Sequence, residues 1–231
     1  MQDAGFVKQA FAGIASRYVV TNHVLSLGID VLWRWKTARL VKRLAPHWVL
    51  DLATGSGDLA RAVQAACPHA MVLGGDFSPP MMLEAQKRGF HALISADALA
   101  LPMVDAAVDV VTVAFGLRNM ASWPAALAEM ARVLKPGGHL VVLDFSLPTL
   151  PLLRPAYVFY LERVMPRIAG LLTGKREAFE YLCRSIEAFP SGKAMEQMML
   201  ANGFAEARSE PLSLGIATLY VARKSASMAL A

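Results

Sequence analysis

The chain has 231 residues, of which 55% are hydrophobic and 18% charged; this composition supports a sizeable apolar core and excludes an intrinsically disordered protein. The formal net charge of +5 and the mean hydropathy of +0.41 make nucleic acid and membrane partners worth considering. However, the sequence has no dense Lys/Arg run, no zinc-ligand spacing and no uninterrupted apolar run of the roughly 18–20 residues that a spanning helix needs. We therefore expect no nucleic-acid partner and no metal. Asp3 stands where a signal peptide would have basic residues, so a cytoplasmic location is expected.

In chain order, apolar residues near helical spacing first predict N-terminal helices over residues 6–20 and 24–44. Short apolar segments and helices then alternate. The predicted strands of this region are 48–52, 71–75, 91–95, 108–114 and 139–144. The predicted helices between them are 58–67, 79–88 and 124–133, the last closed by Lys135–Gly138.

Residues 149–176 depart from this alternation, because they are first rich in proline and then apolar and helical. A helix at 192–201 and two closing strands at 204–210 and 215–222 follow. Strands that alternate with helices imply parallel βαβ units. The prediction is an α/β fold with a doubly wound, mostly parallel seven-stranded sheet, N-terminal helices and a helical insertion before the last strands.

A glycine-rich turn, Asp51–Asp58, joins the first predicted strand to its helix. Gly55 and Gly57 allow the backbone to approach a ligand closely, and the helix N-terminus offers free N–H groups to a carboxylate or a phosphate. The turn also satisfies a dinucleotide-binding pattern, ending at Ala60. By itself it therefore fits S-adenosylmethionine, a nicotinamide dinucleotide, or a turn with no ligand.

Two acids follow the next strands. Asp76 ends the second strand 21 residues after Gly55, where a carboxylate accepts hydrogen bonds from the ribose hydroxyls of an adenosine; the alternative is a helix N-cap, although Ser78 is better placed for that. Asp97 follows the third strand and could accept from the adenine amino group, or belong to an ordinary loop. The nicotinamide alternative weakens further along the chain, because no second nucleotide-binding half follows.

Four motifs carry a resemblance to a known family: 11–33 (FAGIASRYVVTNHVLSLGIDVLW), Ala114–Asn119 (AFGLRN), Arg132–Gly138 (RVLKPGG) and Leu143–Ser146 (LDFS). On these motifs the chain resembles class I S-adenosylmethionine-dependent methyltransferases, and among them the ubiquinone/menaquinone biosynthesis C-methyltransferase family (UbiE/MenG-like). The resemblance extends from about residue 6 to 222.

Some positions depart from the family pattern. Two acids that the family usually has after Tyr18 are missing, a histidine before the first tryptophan is an acid here, and a serine hydroxyl is lost after the fourth strand. The departing positions are Val19, His23, Asp30, Thr54, Ser56, Ala114 and Asp144. The N-terminal changes put the identity of the substrate in doubt more than that of the cofactor.

The resemblance implies S-adenosylmethionine as the cofactor. The residues expected to bind it are Asp51, Ala53, Gly55, Ser56, Gly57, Asp76, Phe77, Asp97, Ala98 and Ala114. Arg118 is expected to stabilise a phenolate and Asn119 to orient the substrate; the alternative is that Arg118 pairs with an acid to fix its loop. Arginine is a poor base, so a water is expected to take the proton. Tyr18 and Asn22 are candidate substrate contacts, with a core role as the alternative for Tyr18.

The implied reaction is methylation of a ring carbon of a prenylated quinol, of the demethylmenaquinol or the 2-methoxy-6-polyprenyl-benzoquinol type, with the choice left open. The alternatives are a related methyltransferase acting on another small aromatic or lipid-like acceptor, a non-catalytic protein that binds the cofactor, and, remotely, an NAD(P)-dependent oxidoreductase. The apolar stretch 147–173, with Leu152, Tyr157 and Phe159, is interpreted either as a face that receives the prenyl tail or as a cap or dimer surface.

These interpretations divide a single domain, 1–231, into functional segments: a helical lid (1–45), a cofactor-binding core (46–148), a helical substrate cap (149–190), a closing helix with strands (191–224) and a frayed tail (225–231). The expected partners are the quinol and, through peripheral contact, the inner face of a membrane. A homodimer is a further expectation.

Overall fold

The computed structural model describes residues 26, 28–148, 150–164 and 183–226. Tyr18 and Asn22, the two predicted substrate contacts, lie outside the described residues. So do most of the predicted lid, part of the predicted cap and most of the predicted tail.

Helices and strands alternate along the described residues. The helices are α1 (Asp30–Arg43), α2 (Asp58–Ala66), α3 (Pro79–Lys87), α4 (Trp123–Val133), α5 (Leu153–Phe159) and α6 (Lys193–Ala201). The strands are β1 (Trp48–Leu52), β2 (Met71–Asp76), β3 (Leu93–Ser95), β4 (Val108–Ala114), β5 (Leu134–Phe145), β6 (Phe204–Leu212) and β7 (Ala217–Lys224). A 3-10 turn, Leu117–Asn119, follows β4, a π-helical turn, Tyr160–Val164, follows α5, and residues 183–188 are helical.

The seven strands form one sheet in the order β3-β2-β1-β4-β5-β7-β6. Strands β1 to β5 are parallel, and β7 pairs antiparallel with both β5 and β6. The predicted doubly wound, mostly parallel seven-stranded sheet is therefore confirmed. The chain reverses its direction of winding between β1 and β4, and in such sheets ligands bind in the crevice outside the carboxyl ends of the strands at that point.

Apolar layers cover both faces of the sheet. Neighbouring residues of a strand point to opposite faces, so Val110 lies in one buried cluster and Val111 in the other. Because β4 is buried on both faces, it has a near-continuous run of β-branched residues rather than an alternation of apolar and polar ones. On the first face α1 packs against α2 and β5.

Some boundaries differ from the predicted ones. Strand β5 begins at Leu134 rather than at His139, and the segment Lys135–Gly138 lies within it as an irregularity. A Cβ on Gly138 would lie 2.8 Å from the carbonyl oxygen of Lys135 and 2.9 Å from that of Asp109, so the glycine is there for close packing within a strand as well as for a turn. Strand β3 spans only Leu93–Ser95 of the predicted 91–95.

Among the described residues, no helix combines the length and the apolar character that crossing a membrane requires.

Candidate active site

A cavity of about 380 Å³ lies outside the carboxyl ends of β1, β2 and β4, at the point where the winding of the sheet reverses. Its lining includes polar side chains from α1, from β1 and the turn that follows it, and from the start of α2. Others come from the end of β2 and the segment after it, and from the segments after β3 and β4. Together these are Arg34, Asp51, Thr54, Ser56, Asp58, Asp76, Ser78, Asp97 and Asn119. Nine of the ten residues that the sequence predicts for the cofactor line this cavity; Gly57 does not.

The glycine turn uses its two glycines differently. Gly55 has φ +56° and lines the cavity, and a Cβ on it would lie 3.0 Å from Cε of Met81. Gly57 has φ +74°, and a Cβ on it would lie 3.3 Å from Cβ of both Ala85 and Phe90. Gly57 therefore serves the packing of the start of α2 against α3 and its following loop, whereas Gly55 keeps the cavity wall open.

Asp51, at the end of β1, is hydrogen-bonded to the glycine turn through Thr54. Its carboxylate is buried and accepts hydrogen bonds from the Oγ1 atoms of Thr54 and Thr112, each at 2.6 Å. Burial raises the pKa of Asp51 to about 6, and the two threonine hydroxyls oppose that rise. Burial therefore disfavours the ionised form of Asp51, and a cation in the cavity would favour it.

Asp76 links the end of β2 to the glycine turn. One carboxylate oxygen accepts a hydrogen bond from the backbone N–H of Gly55 at 2.8 Å, and the other accepts from the backbone N–H of Ser78 at 2.9 Å. Burial raises the pKa of Asp76. Ser78 occupies the N-cap position of α3 but its side chain makes no capping hydrogen bond, so Asp76 satisfies the backbone N–H of Ser78 itself.

Two further acids lie along the cavity. Asp97, beyond β3, accepts a hydrogen bond from the backbone N–H of Leu99 at 2.9 Å. Asp58 is the first residue of α2, accepts from Oγ of Ser56 at 2.8 Å and lies 3.2 Å from Nη1 of Arg88. A negative charge at this helix N-terminus opposes the binding of a dinucleotide pyrophosphate there.

The segment after β4 contacts the turn after β1 directly. A Cβ on Gly116 would lie 2.6 Å from Cβ of Ala53, so only glycine fits at position 116. Phe115 has φ +57°, a conformation that is strained for a bulky residue. Its ring is buried, and the ring centroid lies 4.7 Å from that of Phe145.

Arg118 does not line the cavity. It is fully buried, its Nη1 lies 2.5 Å from Oδ1 of Asp144, and the same nitrogen donates to the carbonyl oxygen of Phe115 at 2.7 Å. This is the alternative that the sequence left open, an arginine paired with an acid to fix its loop. Asn119 does line the cavity, and its Nδ2 donates to the same carbonyl oxygen of Phe115 at 3.3 Å.

Arg34 is a cavity residue that the sequence reasoning missed. It is the one cationic side chain among the described residues that line the cavity. Its guanidinium pairs with the buried carboxylate of Asp30 one helical turn earlier and lies 5.3 Å from the ring centroid of Phe115. The acid–base spacing of four residues on a predicted helix was the available signal.

The insertion after β5 presents a mixed surface. Leu152 is 93% exposed and Phe159 is 61% exposed. Tyr157, which the sequence grouped with them, is buried and belongs to the same apolar cluster as Trp33 and Phe145. Tyr157 is therefore part of the core rather than of an exposed apolar face.

A seven-stranded sheet of this topology, with a glycine turn after β1 and an acid at the end of β2, defines the class I S-adenosylmethionine-dependent methyltransferases. The model of the ubiE/COQ5 methyltransferase family matches residues 1–224. The chain belongs to this family.

Named relatives agree with this assignment, and a solved structure has a similar fold. The chain is 45% identical over 216 residues to the demethylmenaquinone methyltransferase of Thermus thermophilus, covering 91% of this chain and 98% of the relative. It is 42% identical over 215 residues to the ubiquinone/menaquinone biosynthesis C-methyltransferase UbiE of Syntrophotalea carbinolica, covering 91% and 90%. Its fold is similar to that of an S-adenosylmethionine-dependent methyltransferase from Thermotoga maritima, with a TM-score of 0.67, 18% identity, and coverage of 95% of this chain and 100% of that one.

Proposed function

We propose that this chain methylates a ring carbon of a prenylated quinol, with S-adenosylmethionine as the methyl donor, in the biosynthesis of menaquinone or ubiquinone. The observation that carries the proposal is the membership of nearly the whole chain in a family whose relatives have these activities in their names. The cavity at the reversal point of the sheet supports it, because its acids and its open wall at Gly55 suit an adenosine with a cationic tail.

The chain's residues fit this cofactor. Asp76 would accept from the ribose hydroxyls and Asp97 from the adenine amino group, with Phe77 beside the base. Gly55 and Ser56 would face the methionine portion. When bound, S-adenosylmethionine supplies an electrophilic methyl group carried by a sulfonium.

The charge of the lining separates this cofactor from a dinucleotide. Among the described residues that line the cavity there are four carboxylates, from Asp51, Asp58, Asp76 and Asp97, and one guanidinium, from Arg34. Such a lining complements a sulfonium and an ammonium and repels a pyrophosphate. The NAD(P)-dependent alternative is therefore disfavoured by the site itself.

On the acceptor side, the chain's task is to orient the ring and stabilise a negatively charged oxygen. The ring carbon ortho to a deprotonated quinol oxygen is nucleophilic, and a preorganised cation beside that oxygen lowers the barrier. We assign this role to Arg34, because it reaches the cavity and is held by Asp30 and by the ring of Phe115. Asn119 orients the substrate, and Arg118 positions the loop through the carbonyl oxygen of Phe115.

The prenyl tail and the location at the inner face of a membrane are parts of this proposal. The exposed side chains of Leu152 and Phe159 support them, because apolar groups in water gain from contact with a lipid chain. A related methyltransferase with another aromatic acceptor is the second candidate, favoured by the departure at Asp30 from the family's histidine.

The proposal is tested by incubating the purified protein with S-adenosylmethionine and short-chain demethylmenaquinol or 2-methoxy-6-prenyl-benzoquinol. Mass spectrometry is expected to find a product heavier by one methylene for at least one of the two. Calorimetry is expected to find binding of S-adenosylhomocysteine and none of NAD. If no quinol gives a product while S-adenosylhomocysteine still binds, the quinol reaction is rejected and the second candidate is favoured.

Replacing Arg34 by glutamine is expected to lower kcat by about 100-fold or more, as for other preorganised groups that meet a developing negative charge. Affinity for S-adenosylhomocysteine should be retained. Arg34→Lys should keep part of the activity because it keeps the charge, and Arg61→Gln, an exposed change on α2, serves as the control. If Arg34→Gln instead loses cofactor affinity while kcat stays at the control value, Arg34 binds the methionine carboxylate and the assigned role is wrong.

A further inference from the structure

The outward face of α1 is unusual for a helix on the surface of a globular protein. Such a helix ordinarily buries one apolar stripe and presents polar side chains to water. Here the buried side contains Trp33 and Val41, yet Leu32 is 64% exposed and Trp35 is 56% exposed on the other side. The helix thus has a second apolar stripe with no described residue covering most of its area.

A groove of about 520 Å³ runs along this outward face. Its walls are formed by α1 and the residue before it, by β6 and β7, and by the connection between these two strands. The lining residues are Ile29, Leu32, Trp33, Trp35, Lys36, Arg39, Leu40, Arg43, Glu210, Leu212, Ser213 and Leu219. Beside the groove, Leu214 is two-thirds exposed. Ser213 and Leu214 both have positive φ, at +47° and +61°, a backbone conformation that costs free energy in residues other than glycine and is often retained for function.

The connection that displays Leu214 is fixed to α1. Nε1 of Trp33 donates a hydrogen bond to Oγ of Ser213 at 3.0 Å. The exposed leucine is therefore held beside the exposed stripe of α1 rather than left to move independently. We refer to Leu32, Trp35, Lys36, Arg39, Lys42, Arg43 and Leu214 as the α1 surface.

The charges of the α1 surface are of one sign. Its charged members are all basic, and the single acid of α1, Asp30, is buried and paired with Arg34. Glu210, the one acid among the described residues that line the groove, pairs with Lys36 at 2.5 Å. The guanidinium of Arg39 lies 4.5 Å over the ring of Trp35, which places a cation and an aromatic ring together at the protein surface.

The exposed apolar and basic side chains of the α1 surface favour one class of partner over others. A second copy of the chain would bring like charges together, and a nucleic acid would gain nothing from the exposed side chains of Leu32 and Leu214. Exposed leucines and a tryptophan flanked by basic residues match the side chains by which a helix lies in the interface of an anionic membrane. We propose that the α1 surface docks this protein on bilayers that contain anionic phospholipids, with its apolar side chains among the headgroups and its basic side chains on the phosphates.

Docking through α1 has a direct relation to the cavity. Arg34, on the opposite side of the same helix, lines the cavity, so one helix separates the bilayer surface from the site. A prenylated quinol would then leave and re-enter the lipid without its tail crossing water. This consequence rests on the proposed quinol reaction; the docking specifies the membrane location proposed above and does not need that reaction.

Co-sedimentation with vesicles tests the docking. Binding is expected to vesicles of phosphatidylcholine with phosphatidylglycerol, to be weak on phosphatidylcholine alone, and to fall as salt rises. The variant Lys36→Gln/Arg39→Gln/Arg43→Gln should lose about fivefold in partition coefficient per charge, or roughly 100-fold in all. The variant Leu32→Ser/Trp35→Ser/Leu214→Ser should also bind less. The control, Trp48→Ser/Val104→Ser, removes exposed apolar groups from elsewhere and should bind like the parent.

Equal binding by all variants would overturn the proposal, and so would equal binding to neutral and anionic vesicles at every salt concentration. It would also be overturned if no form binds vesicles and light scattering finds a dimer that the α1 variants abolish. Activity separates this proposal from the proposed function. The α1 variants should retain the parent's activity on a short-chain quinol in solution and lose activity on a long-chain quinol in vesicles. Vesicle binding without methylation of any quinol would retain the docking and reject the quinol reaction.

Discussion

Asp76→Asn is expected to weaken binding of S-adenosylhomocysteine by on the order of 100-fold or more. Two hydrogen bonds to a charged acceptor contribute about 1.5–3 kcal/mol each, and asparagine offers only one acceptor atom. In addition, both carboxylate oxygens already accept backbone N–H groups, of Gly55 and Ser78. The amide nitrogen of asparagine would face one of these donors, so the glycine turn would lose an anchor as well.

Calorimetry measures the affinity, and thermal unfolding without ligand reports the effect on the turn. Asp105→Asn is the matched control, because Asp105 is exposed and lies outside the cavity. Asp97→Asn should have a smaller effect, because Asp97 anchors only its own loop. Unchanged affinity in Asp76→Asn would exclude Asp76 as the ribose acceptor.

The same carboxylates predict the direction of the pH dependence. Burial raises the pKa of Asp51 to about 6 and raises that of Asp76 as well. An acid whose pKa is raised by folding favours the folded state at low pH, and that contribution is lost as the pH rises through the folded pKa. A bound cation favours the ionised forms, so cofactor affinity should fall as the pH drops below about 6 while the ligand-free protein does not lose stability from these two groups.

Removing one partner of the Arg118–Asp144 pair is expected to lower the free energy of unfolding by about 3–5 kcal/mol, because the other charge would be left buried and uncompensated. Both side chains have no exposure at all. Arg118→Met and Asp144→Asn are the single variants, measured by chemical denaturation. Glu206→Gln, which breaks the exposed pair with Arg223, is the control and should have no measurable effect.

The double variant Arg118→Met/Asp144→Leu distinguishes positioning from support of the fold. Stability should recover beyond that of either single variant, because no unpaired charge remains. Activity should not recover, because the carbonyl oxygen of Phe115 loses the guanidinium that holds it. Recovery of both quantities would reduce the pair to a structural role.

Much of the fold could be predicted because its signals are local. Buried runs such as Val108–Ala114, and the alternation of strands with helices, determine a parallel sheet almost without reference to the rest of the chain. The start of β5 at Leu134 was missed because Lys135–Gly138 has the composition of a helix stop. Its glycine is required by backbone that lies close to it only in the sheet, at Asp109.

Most of the residues that line the cavity could be predicted because strand ends fix where their side chains lie. What the sequence could not give was long-range packing: Gly57 is required by Phe90, and Arg34 reaches the cavity only because α1 packs over α2. Arg118 was misleading for a similar reason. A charged residue in a loop is usually exposed, and only the fold buries Asp144 beside it.

The contact between Gly116 and Ala53 restricts how this protein can be redesigned. Because a single added methyl group at position 116 would overlap the side chain of Ala53, and a larger residue at 53 would meet the backbone at 116, these two positions cannot be diversified independently. A library that aims at new acceptors should hold both constant. It should instead vary Met120 and Ala121, which line the same cavity from the adjoining segment.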